Sequence, residues 1–336
     1  MIGASAGGVE ALMTLAEALP GDFGAPVFVT LHIPSDSPSL LPELLSRKGK
    51  LRAKHPEDGE AYKAGVIYVA PPDQHMLIER NGRLRVVRGP RENRHRPAID
   101  PLFRSAASAA GPKVIGAILT GTLDDGTAGL RAIKEAGGVA VVQDPADAVY
   151  RSMPESALEN VDVDYVLPLR DIPKKLSELL GQEPPAQEGS VQSLEAMMME
   201  NRFSEMDPDA LQGEGRRGHP SAFSCPDCGG VLWEIDEEDY LRFRCRVGHA
   251  FSPESMIGAQ NDMLEQALWS ALKTLEENAH LSKRLADRER QRGHKWMAVR
   301  FEEREKDALA RAEAIQRVLA SSTNEVPQPT EEEVSR

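Results

Sequence analysis

The sequence predicts an α/β fold built on a doubly wound, mostly parallel sheet, followed by a small cysteine-bearing module and a long helical hairpin. Three observations carry that prediction. Short apolar runs alternate with helical patterns through the first 180 residues, the signal for βαβ units and a parallel sheet. All three cysteines fall between positions 225 and 245. An apolar stripe at helical spacing then runs toward the C-terminus.

The elements follow in order. The chain opens MIGASAGGVEAL, a glycine-rich turn leading into a helix over 9–18. Buried strands are expected over 27–33 (VFVTLHI), 65–71 (GVIYVAP), 114–121 (VIGAILTG) and 139–144 (VAVVQD), with a last short strand over 164–169 (DYVLPL). Residues 76–88 alternate and turn at Asn81-Gly82, a hairpin signal. Further helices are expected over 100–110, 127–136 and 172–180, which closes a first domain at 1–180. Composition then shifts at 181–222 to linker chemistry, EPPAQEGS and DPDALQGEGRRGHP, with a short helical patch at 194–201. The cysteine module occupies 223–251. Ser252-Pro253-Glu254 next reads as an N-cap, a proline at the first helical position and an acid in the first turn. Apolar residues from Met263 to Leu275 and from Trp296 to Leu319 mark two helices over 252–320 that turn back near Gly293. That stripe serves either a partner-binding coiled coil or the packing of the hairpin on itself. The polar tail, 321–336, is expected to be disordered.

Bulk chemistry narrows the function classes. Lys+Arg 40 against Asp+Glu 53 gives a net charge of -13, which argues against a nucleic-acid groove. No apolar run reaches the ~18 residues of a membrane span, and no charged-then-apolar leader opens the chain. A cytoplasmic protein without membrane insertion is therefore expected. An odd number of clustered cysteines is no disulfide framework.

In a doubly wound sheet ligands bind outside the carboxyl ends of the strands, where strand order reverses. That rule draws three distant residues together. Ser5 follows the first strand, inside Gly3-Ala4-Ser5-Ala6-Gly7, a fit to the G-x-S-x-G turn that exposes a nucleophilic serine. The same turn narrowly misses the dinucleotide pattern G-x-G-x-x-G, since Ser5 stands where the middle glycine would be. His32 ends the second strand, where a dehydrogenase would need an acid for a ribose hydroxyl. Asp124 and Asp125 follow a later strand. A serine, a histidine and a carboxylate at adjacent strand ends are the parts of an acyl-transfer triad. Each alone also reads as an ordinary turn or strand-end residue; their joint arrival favours the triad. His55, His75 and His95 lie in loops and are not drawn into the site. Only Met1 and Ile2 precede Gly3, so the strand before Ser5 is expected either to begin upstream or to hold the serine loosely.

Seven ordered stretches, IGASAGG, LHIP, GVIYVAPPDQHMLI, RPAIDPLF, AILTGTLDDGTAGL, VVQDPADA and SMPESAL, give residues 2–180 a close resemblance to the catalytic domain of the chemotaxis protein-glutamate methylesterase family, CheB. The resemblance implies a Rossmann-like serine hydrolase that cleaves glutamyl methyl esters on chemoreceptors and also deamidates glutamine there. The family's catalytic serine falls on Ser5, its histidine on His32 and its aspartate on Asp125, with Asp124 the rival. Catalysis of this kind needs no cofactor, and the Ala6 amide is the natural first oxyanion donor. One departure is plain: where the family often reads Gly-Met-Gly-x-Asp-Gly, this chain has Gly121-Thr122-Leu123-Asp124-Asp125-Gly126. The chain reads as a stand-alone form without the family's common receiver domain, so a separate receiver or methyltransferase protein is a candidate partner beside a methylated chemoreceptor or related signalling protein. Two alternatives stay open: the same esterase chemistry on another protein, or a catalytically silent signalling scaffold.

Cys225-x₂-Cys228, a spacer, then Cys245-x₃-His249 supply four ligands at the spacing of a zinc ribbon. The segment between them reads as strand, acidic turn and strand, so two knuckles would sit on one hairpin. Four protein ligands make a closed, structural zinc site with no catalytic role.

Overall fold

The structure, a computed structural model, describes the chain outside residues 35–37, 185–189, 213–217, 238–239 and 322–336; side chains at 191–192, 212 and 236–237 are likewise outside it. The expected disordered tail falls almost wholly beyond the described residues.

In chain order the first region comprises β1 (Ile2–Ala4), α1 (Gly8–Ala18), β2 (Val27–Leu31), α2 (Leu41–Lys48), β3 (Arg52–Lys54) and β4 (Val66–Val69). A hairpin follows, β5 (His75–Ile78) and β6 (Leu84–Val87). Then come α3 (Ile99–Ala110), β7 (Ile115–Ile118), α4 (Thr127–Glu135), β8 (Val139–Gln143), α5 (Ser152–Asn160), β9 (Tyr165–Leu167) and α6 (Ile172–Leu180). Seven strands form one parallel sheet in the order β3-β4-β2-β1-β7-β8-β9. Strand side chains alternate between the two faces. On β2, Val27, Val29 and Leu31 join the core under α1, α2 and α6, while Phe28 joins the core under α3, α4 and α5. Chain order reverses at β1, which pairs with β2 on one side and β7 on the other.

β1 is three residues long, and the chain around it is hydrogen-bonded to its neighbours. Met1 extends the ladder, its nitrogen donating to the Ile115 oxygen at 2.7 Å and its oxygen accepting from Ala117 at 2.8 Å. The Ser5 amide then bonds the Thr120 oxygen at 3.0 Å. Pairing on both sides replaces length.

The sequence reading omitted α2, β3 and α5, and it took 181–222 for linker with only a short helical patch at 194–201. The structure corrects the last point. α7 (Val191–Ser204) and α8 (Pro208–Gln212) lie there, and α7 buries Met197, Glu200, Phe203 and Ser204. The module after it is a four-stranded antiparallel sheet of β10 (His219–Ser224), β11 (Val231–Glu237), β12 (Tyr240–Cys245) and β13 (Ala250–Phe251).

α7 is wedged by charge as well as by apolar contact. Arg104 of α3 donates to Glu92 at 2.9 Å and 3.2 Å and to the Ser204 hydroxyl at 2.9 Å. Arg242 and Arg244 of β12 each reach one Glu200 oxygen at 2.6 Å. Buried charges persist only when paired and hydrogen-bonded, and here the partners come from α3, α7, β12 and the loop that carries Glu92. Residues Met1–Ile257 accordingly form one compact unit, and Gly258–Arg336 a second.

The second unit is helical. α9 (Pro253–Gln291) begins in the first unit and continues into the second, and α10 (Lys295–Ser321) returns after Gly293, whose φ of 81° only glycine adopts readily. Leu272, Ala312 and Leu319 pack with Leu268, Leu275 and Ile315, so the stripe does close the hairpin on itself. Trp269, Leu281 and Trp296 stay exposed on it.

Candidate active site

Ser5, His32 and Asp125 meet where the sheet changes direction. Ser5 leaves β1 into a turn closed by Gly7, at φ 71°, before α1 starts at Gly8. A Cβ on Gly8 would lie 2.6 Å from Leu31 Cδ1 and 2.8 Å from Ala4 Cβ, so glycine there lets α1 start tight against β1 and β2. His32 follows β2, its amide bonded to the Ala4 oxygen at 3.3 Å. Asp125 ends the loop after β7.

The three side chains form a hydrogen-bonded chain. His32 Nδ1 lies 3.0 Å from Ser5 Oγ, and His32 Nε2 lies 2.7 Å from Asp125 Oδ2. In the familiar serine triad the ring faces the serine with Nε2 and the acid with Nδ1; here the two nitrogens exchange places. Asp125 also accepts from the Ile99 amide at 2.6 Å, the Asp100 amide at 3.4 Å and the Asn93 side chain at 2.9 Å. Two of these donors are the N-terminal amides of α3, which favour negative charge. Burial pulls the Asp125 carboxyl upward, but the His32 hydrogen bond and charge, His95 and the Ile99 amide outweigh it and hold the group below the usual carboxylate range.

Asp124 does not touch His32. Its carboxylate accepts from the Ser252 hydroxyl at 2.7 Å, and burial pushes its pKa up to about 6. Leu123, at the family's glycine position, sits at φ 60°, a left-handed conformation that costs a branched residue roughly 1–2 kcal/mol.

Two residues that the sequence reading left out belong here. The His95 ring stacks on His32, centroids 3.5 Å apart and planes within 9°. Burial, then the nearby His32, pushes His95 down to about 3, so it stays neutral at neutral pH. Asn93 bridges the two acids, donating to Asp125 at 2.9 Å and to Asp100 at 2.8 Å. Burial and then the Asp125 charge push Asp100 up to about 8. His75 instead is buried with Nε2 on the Pro90 oxygen at 2.8 Å, and His55 bonds the Val69 oxygen at 2.9 Å; neither reaches the triad. Asn93 and His95 lie on an irregular loop, and the only local signal for them is the tolerance of asparagine for positive φ.

The second cluster is separate. The ligand atoms of Cys225, Cys228, Cys245 and His249 all lie within 4.8 Å of one another. Cys228 and Cys245 sulfurs are 3.7 Å apart, and His249 Nδ1 is 3.6 Å from both Cys225 and Cys245 sulfurs. A tetrahedral zinc with bonds of about 2.3 Å to sulfur and about 2.0 Å to nitrogen has ligand–ligand edges of roughly 3.5–3.8 Å. The cluster fits that geometry. A metal could be held there.

Fold and site together define a class: α/β domains carrying a serine–histidine–aspartate constellation at the carboxyl ends of a parallel sheet. The CheB methylesterase family profile matches residues 1–176, and the chain belongs to that family. It is 44% identical over 172 residues, 51% of this chain and 89% of the relative, to a Leptospira interrogans protein provisionally named protein-glutamate methylesterase/protein-glutamine glutaminase. A Xanthomonas campestris protein-glutamate methylesterase/protein-glutamine glutaminase is 42% identical over 184 residues, 54% of this chain and 51% of that protein. The chain thus spans nearly all of the first relative and about half of the second. The crystal structure of the Thermotoga maritima CheB methylesterase catalytic domain aligns with a TM-score of 0.51 at 38% identity, covering 53% of this chain and 96% of that one. Among the described residues no helix is long and apolar enough to cross a membrane.

Proposed function

We propose that this protein is a serine hydrolase that cleaves glutamyl methyl esters on methylated chemoreceptors, and by the same acyl transfer deamidates glutamine. The observation that carries the reading is the unbroken hydrogen-bonded chain from Ser5 through His32 to Asp125. Ser5 Oγ attacks the ester carbonyl while His32 Nδ1 takes its proton. Asp125 keeps the other proton on Nε2 and stabilises the imidazolium. The Ala6 amide, which has no acceptor among the described residues, supports an oxyanion donor at the start of α1; one such donor is worth roughly 2.7–4 kcal/mol in other hydrolases. The imidazolium protonates the departing methoxide, methanol leaves, and water activated by His32 frees glutamate.

We assign zinc to Cys225, Cys228, Cys245 and His249, where it would tie the two knuckles of the module together and take no part in the chemistry. The net charge of -13 and the lack of any membrane-spanning helix among the described residues favour a protein acting in the cytoplasm on the inner parts of receptors.

Two measurements on the full chain test the reading. A serine-directed fluorophosphonate should label Ser5, and a methylated receptor fragment should release methanol. Labelling without methanol release would move the substrate to another protein. No labelling at all would leave the scaffold reading.

A further inference from the structure

Residues Glu92 to His95 form a tight turn that touches the triad on one side and the cysteine module on the other. Glu92 and His95 bond each other's backbone in both directions, at 2.9 Å and 3.2 Å. Between them Asn93 has φ 48° and Arg94 φ 74°. Two consecutive non-glycine residues in the left-handed region persist only where surroundings over-determine them. The triad side receives the Asn93 amide and the His95 ring. The other side is bolted to the module. The Asn93 amide bonds the Ala250 oxygen at 2.8 Å, and the Ala250 amide bonds the Arg91 oxygen at 3.2 Å. Asn93 Oδ1 accepts from the Ser252 amide at 3.0 Å and the Ser255 hydroxyl at 3.2 Å. With both donors on its oxygen, the amide has one orientation left, its NH₂ toward Asp100 and Asp125. Asn93 is 6% exposed and uses every hydrogen-bonding atom of its side chain.

We propose that the cysteine module is a clamp on the catalytic site, and that Asn93 is a positioning residue through which Ser252, Ser255 and Ala250 set the orientation of Asp125. This rests on the triad reading above. The module then does more than decorate the hydrolase: an intact β13 and α9 start are conditions for a well-aimed acid. Since Ala250 directly follows His249, whatever orders the cluster also orders the clamp.

The test compares the full chain with Asn93→Gly, Ser255→Ala and the two combined. Glycine keeps the backbone conformation and deletes the amide. Three quantities are read: kcat and KM for methanol release, and the low-field proton NMR signal of His32 Nε2–H, which reports its bond to Asp125 whether or not turnover occurs. Asn93→Gly should lower kcat roughly 10- to 100-fold with KM nearly unchanged, the effect of a misaimed catalytic group, and should shift or broaden the proton signal. Ser255→Ala should lower kcat about threefold to tenfold, the worth of one hydrogen bond. The combined variant should be no worse than Asn93→Gly, because both act through one contact. A Ser255→Ala protein with parental kcat and proton signal would overturn the clamp, as would multiplicative effects in the pair. Should Asn93→Gly fail to fold, Ser255→Ala alone decides. A parent that shows the proton signal but no turnover would sink the esterase reading while leaving the clamp testable.

Discussion

Asp124 and Asp125 are neighbours in the chain with opposite surroundings. Asp125 collects His32, Asn93 and the first amides of α3, and stays ionised. Asp124 faces the Ser252 hydroxyl and is pushed toward the neutral form. Asp125→Asn should therefore lower kcat by on the order of 10⁴, since an amide cannot hold the imidazole in its working tautomer. Asp124→Asn keeps an acceptor for Ser252 and should cost less than about tenfold. Methanol-release kinetics on both variants decide it, and a dead Asp124→Asn would mean the acid is misassigned by one residue. Ser5 and His32 were legible because each directly follows a strand, and Asp125 because it closes the loop after β7, where the sheet rule gives position meaning. Asn93 and His95 were not. They sit between a hairpin and a helix on a loop with no periodicity, and the partners of Asn93 lie as far along the chain as Ser255.

At the scale of elements, two helix N-termini each meet one buried acid: the first amides of α3 bond Asp125, and amides at the start of α4 bond Asp100. Asp100 accepts from the Gly126 and Gly129 amides at 3.1 Å and 2.6 Å while burial and Asp125 push it up to about 8 from 3.8. The sign follows from linkage. The folded state holds a proton on Asp100 that the unfolded chain releases near 3.8, so this group's contribution is full below that value and is lost as pH rises toward about 8. Asp100→Asn removes the titration. Its melting temperature should fall less than the parent's between pH 5 and 8, whatever the fixed cost of the changed Asn93 contact; parallel curves would refute the shift. The long, periodic elements, α1, α3, α4 and α6, were plain in the sequence because their apolar faces repeat. α7 was read only as a short helical patch at 194–201 within a linker, for a physical reason: half of what it buries, Glu200 and Ser204, is polar, so its packing shows as ion pairing and not as an apolar stripe.

For the molecule as a whole, the cysteine–histidine cluster and the Ser5–His32–Asp125 chain share one compact unit. Purified protein should carry about one zinc per chain by elemental analysis. Stripping it, or substituting Cys228→Ser, should speed amide exchange in the module and also in the 91–95 turn, and lower the melting temperature by roughly 2–4 °C per kcal/mol lost in a unit of this size. Faster exchange confined to 219–251 would mean that the module and the turn are mechanically independent. The sequence signalled the cluster of Cys225, Cys228, Cys245 and His249 through spacing alone. It did not signal that β13 pairs beside Glu92, because that contact joins residues with no common pattern.

The buried ion cluster has one more consequence, for the difference between what is inherited and what is autonomous. The family match ends at residue 176, yet Glu92 and Arg104, well inside it, are completed by Ser204 and Arg244 far beyond it. A piece cut at the family boundary would leave Glu92 without two of its donors and bare the flank of α3 that Met197 covers. Such a 1–176 piece should therefore melt below one that runs to Ile257, the end of the compact unit.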